Sequence, residues 1–209
     1  MKKLKSTIKK NSEIDYSQEF ELNRLQADKN FVEFQRKKIK EIMPNETAEN
    51  IDKQVANIVA RNNSVDLIIQ GIYKHFDINI NNDDVKSFAD RIKNNVLNDK
   101  NENMSNETMK KMVSDDKTLQ DIATTTLKRN LLFNELAKIW DIRITDQDVK
   151  KSLDNYYQKT NMPIRDILND TNKFESVRQI MLNERIAIEL LHRFKVNFNL
   201  PKQPDKKNN

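Results

Sequence analysis

The chain has 209 residues, with 37 Lys and Arg against 32 Asp and Glu, a formal net charge of +5 and only 36% hydrophobic residues. A single glycine and no cysteine occur, which excludes Gly-rich phosphate loops, dinucleotide-binding turns, disulfides and thiolate metal sites. Folds built from many tight turns are disfavoured for the same reason, whereas long helices with narrow apolar stripes suit a thin core.

In chain order, MKKLKSTIKK opens with lysines and lacks the apolar run of a signal peptide, so residues 1–15 read as a flexible basic N-terminal arm. From Ser17 to Met43 the apolar groups Phe20, Leu25, Phe31, Phe34, Ile39 and Ile42 read as a helical stripe that stops at Pro44. A second stripe runs from Ile51 to Phe76 as one long helix, or as two broken near Asn62 and Asn63. Val85, Phe88, Ile92 and Val96 share the face of the next helix, followed by a polar loop at 98–107 and a short helix with Met109, Met112 and Val113. Leu119 to Trp140, Val149 to Tyr156, Ile164 to Leu168 and Phe174 to Phe194 mark four further helices, and residues 199–209 read as a disordered tail. No stretch has the length of a membrane span, and the expected location is cytoplasmic.

The most informative feature is an internal repeat. IYKHFDININNDDVK (72–86) aligns without gaps to LAKIWDIRITDQDVK (136–150), with seven identities in fifteen positions. Phe76 matches Trp140, and LLHRFKVNF (190–198) echoes the same exit with Phe194, Val196 and Phe198. Each copy reads as a helix that ends on a large aromatic and leaves as a short extended I-x-I segment. A new helix then starts from a polar cap, Thr145 with Asp148 resembling a capping box and Asn81 with Asp84 a weaker version. The three exits should meet in one hub holding Phe76 and Trp140, with the intervening helices projecting from it.

At these residues the sequence resembles the C-terminal chaperone domain of trigger factor, whose helix exits lead through short extended segments into acidic helix starts. DIRITDQDV (141–149) carries that pattern, and residues 162–196 resemble the family's second arm and return helix. The resemblance spans roughly residues 30–198. It implies an all-α fold, an elongated multi-helix body with two protruding helical arms, similar also to the SurA-type chaperones. Residues 16–198 would then form one chaperone domain that holds unfolded or nascent polypeptides in a cradle between the arms without nucleotide. The family's ribosome-docking loop and prolyl-isomerase domain have no counterpart here, so isomerase activity is not expected.

Such a cradle needs apolar groups that stay exposed, with methionine and aromatic side chains adapting to many clients. The candidates on the two arms are Phe88, Ile92, Met104, Met109, Met112, Tyr156, Tyr157, Met162 and Ile164. Each of them competes with a plainer reading, packing within its own hairpin. His75 and His192 sit at helix ends as caps. No paired acid and base, nucleophile elbow or H-x-x-x-H pair is present, so neither an enzyme nor a metal or cofactor is expected. The alternative function is a basic helical accessory protein that contacts RNA or the ribosome through the N-terminal arm.

Overall fold

Asp28 accepts hydrogen bonds from the backbone N–H groups of Asn30 and Phe31 and so starts the first helix, α1 (Lys29–Ile42). The computed structural model describes residues 4–98, 113–160 and 163–200. Thr47 caps α2 (Ala48–Ile72), which continues unbroken through Asn62 and Asn63. The Asn63 amide donates back to the Val59 carbonyl at 3.0 Å and also grips the backbone of Gln26, accepting from its N–H at 2.7 Å and donating to its carbonyl at 2.8 Å. Ile39 of α1 packs on Ile51, Val55 and Val59 of α2, a small core of its own.

Two short strands precede α1: β1 (Thr7–Lys10) and β2 (Glu19–Leu22). After α2 a 3₁₀ turn at Tyr73–His75 leads into β3 (Phe76–Asn79). A first arm follows, formed by α3 (Asn82–Asn98) and α4 (Asp116–Ile139) packed on each other through Val85, Ala89, Leu119, Ala123 and Leu127. The second arm comprises α5 (Asp146–Thr160), the single turn α6 (Arg165–Leu168) and the long return helix α7 (Thr171–Arg193). Among the described residues of α5, Val149 and Leu153 are buried, and the helix packs on α7. The chain then leaves through β4 (Lys195–Phe198).

The expected hub is present. Ile68 and Ile72 of α2, Leu132, Phe133 and Leu136 of α4, and Ile186 and Leu190 of α7 are almost inaccessible, in one cluster with Phe76 and Phe194. Trp140 packs against the same cluster from its edge. Fully burying each aliphatic or Phe side chain contributes ~1.5–3 kcal/mol, so this cluster holds the three long helices together.

Three expectations need correction. Residues 7–10, read as part of a flexible arm, form β1 and pair antiparallel with β3, from Thr7 opposite Asn79 to Lys10 opposite Phe76. Residues 19–22, read as helical, form β2, which pairs in parallel with β4 from Glu19 opposite Lys195 to Leu22 opposite Phe198. The physical reason lies in EFEL itself: Phe20 and Leu22 are buried while Glu19 and Glu21 are exposed, a period of two. Lastly, the extended exit expected in the second copy of the repeat is no strand; the chain turns there through Asp141 at φ 50°.

The one glycine has a definite use. A Cβ at Gly71 would stand 2.2 Å from the ring of Phe20, so only glycine lets β2 lie so close on α2.

Candidate functional site

Residues 5–22, which include β1 and β2, join the three exits of the repeat. At the first exit, one oxygen of Asp84 (Oδ2) accepts from the backbone N–H of Lys5 at 2.8 Å, the N–H of Ser6 at 2.5 Å and the Ser6 hydroxyl at 2.7 Å. Ser6 in turn accepts from the N–H of Asn81 at 3.0 Å, so a buried hydroxyl is threaded into the start of α3. The Ser6 hydroxyl first, and then its N–H, hold the Asp84 carboxyl below the usual carboxylate range. A little further on, Ser12 meets Nδ1 of the buried His75 ring at 2.9 Å, while its Nε2 has no partner among the described residues. His75 thus sits at the helix end, as expected, and is in addition packed under the N-terminal segment.

At the second exit Tyr16 accepts from the indole N–H of Trp140 at 2.8 Å, and the guanidinium of Arg193 lies over both rings, 4.7 Å from the Trp140 centroid and 5.9 Å from that of Tyr16. At the third, Glu19 accepts from Lys195 at 2.9 Å and Asn197 at 2.8 Å, and these bonds hold its carboxyl below its ordinary pKa. Phe20 stands edge-on to Phe194.

Exposed apolar groups occur near the hub, at Tyr16 and Ile139, and away from it. On the second arm Tyr156 and Tyr157 are each 45% exposed, Leu168 40% and Ile180 66%. At the turn between α1 and α2, Ile42 and Met43 are exposed, and Phe198 is exposed at the end of β4. Beside Phe198 a cleft of about 330 Å³ is lined by Ala60, Arg61 and Ser64 of α2 together with Leu191, Phe194 and Val196. Among the described residues no group of three or more His, Cys, Asp or Glu could hold a metal ion, and no helix is long and apolar enough to cross a membrane.

Residues 36–192 match the family described as the C-terminus of bacterial trigger factor protein. The chain belongs to that family. As a trigger factor C-terminal family member it is 31% identical over 200 residues to the uncharacterized protein MG377 of Mycoplasma genitalium, a match that covers 96% of each chain. The homolog of that protein in Mycoplasma pneumoniae is 32% identical over the same share of both chains. In three dimensions this family member is similar to the crystal structure of a hypothetical Mycoplasma protein, MPN555, with a TM-score of 0.74 and 32% identity over 97% of this chain and 96% of the other. The trigger factor C-terminal family is a chaperone-type family.

Against this fold the expected client-contact residues divide. Tyr156 and Tyr157 are exposed on the second arm. Phe88 and Ile92 are half-buried against the core of the first arm, with the Phe88 ring also covered by Arg91 at 5.6 Å. Ile164 is half-buried beside α6. Met104, Met109, Met112 and Met162 lie outside the described residues. Sequence reasoning missed Ile180 because its helical spacing placed it in the apolar stripe from Phe174 to Phe194, whereas it is 66% exposed. It missed Ile42 and Met43 because they end a stripe whose other members are covered. Their position directly before Pro44 was the available signal, since a helix end has fewer neighbours to cover it.

Proposed function

We propose that this protein is an ATP-independent holdase that binds unfolded or nascent polypeptides in a cradle between its two helical arms. The observation that carries the reading is the set of large apolar side chains left exposed on the second arm, above all Tyr157, Leu168 and Ile180. Membership of the trigger factor C-terminal family supports it. Fully burying one such group contributes ~1.5–3 kcal/mol, and each is already partly covered. A handful of contacts, reduced by the cost of ordering the client, gives weak and reversible capture, which is what a holding function without nucleotide requires. Tyr156, and the methionines 104, 109, 112 and 162, would extend the same surface; Phe88, Ile92 and Ile164 would contribute only edges.

The test is light scattering of a chemically denatured client diluted into buffer. An excess of the protein should suppress aggregation, and the combined variant Tyr157→Ser, Leu168→Ser, Ile180→Ser should lose most of that effect while its fold, read by circular dichroism, is kept. Aggregation unchanged by the parent protein at any ratio would sink the holdase reading. The RNA or ribosome reading rests on the basic N-terminal segment alone, where Lys5 pairs with Asp83 at 2.6 Å and Lys10 with Glu13 at 2.5 Å. Affinity for RNA that falls steeply between low and moderate salt would revive it.

A further inference from the structure

Every helix exit of the repeat is touched by one short stretch of chain, residues 5–22. We infer that this stretch is a clasp that sets the spacing of the two arms, and that its release at the Ser6–Asp84 end widens the cradle. The inference builds on the cradle reading, but concerns its geometry and not its clients.

The first arm starts at Asn81–Asn82 and returns at Trp140; the second starts at Thr145 and returns at Phe194. The clasp holds the first base through the β1–β3 ladder and the three hydrogen bonds to Asp84. It holds the join between the arms through Tyr16 and Trp140. It holds the second return through the β2–β4 ladder and Glu19. Between these points Ile14 and Phe20 are buried in the hub, whereas Ile8 packs against both the hub and the core of the first arm. Ile8 and its β3 partner Ile78 are therefore shared between two cores whose buried residues are otherwise separate.

The three attachments differ in kind. β2 is locked by burial: Phe20 and Leu22 are covered, and Gly71 receives the ring. At the other end β1 is held by its ladder with β3 and by the hydrogen bonds of Lys5 and Ser6 to one carboxylate, with Thr7 and Lys9 exposed and Ile8 only half-buried. Hydrogen bonds to a charged group in partial contact with water contribute less than a buried aromatic ring. Opening therefore begins at Asp84, with β2 as the fixed end: it loosens the base of α3, while α4 stays held in the hub through Leu132, Phe133 and Leu136 and the second arm stays tied through α7.

Because the chain has no cysteine, two spin labels can be placed cleanly, at Asp90→Cys on α3 and Asp154→Cys on α5, both exposed. Pulsed electron resonance then reads the distance between the arms. The intact chain should give one narrow distribution. Asp84→Ala, which removes the acceptor of all three bonds, should broaden it toward longer distances, and Ser6→Ala should do so less. Should Asp84→Ala unfold by circular dichroism, Ser6→Ala, which retains the backbone bonds to Asp84, decides the matter. A folded variant whose distribution superimposes on that of the intact chain overturns the inference. Client holding is scored separately, so a holdase test that fails leaves this distance result standing, and the reverse.

Discussion

Residues 72–86 and 136–150 share almost half their side chains, yet they leave the hub by different routes. In the first copy Asp77 is extended and belongs to β3, because β1 lies alongside to receive its ladder. In the second, the equivalent Asp141 is left-handed at φ 50°, and the helix closes on itself: Ile142 N–H donates to the Ala137 carbonyl at 2.8 Å and Asp141 N–H to that of Lys138 at 3.3 Å. That is the Schellman arrangement, with aspartate where glycine is usual. The Ile144 carbonyl, which a neighbouring strand would otherwise satisfy, accepts from Arg178 of α7 at 2.7 Å. The helix starts diverge in the same way. Thr145 and Asp148 cap each other reciprocally, N–H to carboxylate at 2.8 Å and N–H to hydroxyl at 3.2 Å. Asp84 instead turns its oxygen to Ser6, from elsewhere in the chain. Two similar sequences thus satisfy the same backbone groups from different sources, and the available neighbour decides which.

The difference between the copies can be tested at its aromatic pair first. Phe76→Ala should cost about 3–5 kcal/mol, since the ring is buried in the hub. Trp140→Ala should cost less, about 1.5–3 kcal/mol, because the indole packs only from the edge. Urea midpoints measure both, and equal losses would mean that the copies are structurally interchangeable.

A sharper test uses one substitution with opposite signs. Asp141→Gly should stabilise by roughly 0.5–1 kcal/mol, because glycine occupies the left-handed region without strain. Asp77→Gly, in a strand, should destabilise by about the same amount. Equal signs would deny the difference in backbone conformation.

The smallest expected effect is one of acidity. Asp84 and Asp148 both titrate below the ordinary aspartate range in the folded state, each through the hydroxyl and then the N–H bonded to it. A depressed carboxylate stabilises the fold above its unfolded pKa, and that contribution is lost as pH falls through the folded value. Backbone NMR shifts of residues 7–10 should therefore move below about pH 4, and Asp84→Asn should abolish that transition while leaving the one at the first turn of α5. If the β1 signals follow Asp148 instead, the attribution to Asp84 is wrong.

The hub is legible in the sequence because Phe76, Trp140 and Phe194 end long stripes with helical spacing, and Thr145 with Asp148 signals a cap over only four residues. The strands are not legible in the same way. Four-residue strands carry little periodicity, and their partners lie far away in sequence, so EFEL merges with the helical stripe that follows it. For the candidate site, chemical type picks out Tyr156 and Tyr157, but exposure is a property of what a side chain faces. Phe88 and Ile92 look no less suitable by type, yet both pack into the core that the first arm builds between α3 and α4.

Glu19 and Lys195 stand 176 positions apart in the chain. On a ribosome, the N-terminal half of this pairing emerges long before its counterpart, so Phe20 and Leu22 have no β4 to rest on until synthesis is nearly over. Closure of the hub is thereby a late event in the life of each new molecule, and a chain interrupted before Lys195 leaves one side of β2 without its partner strand.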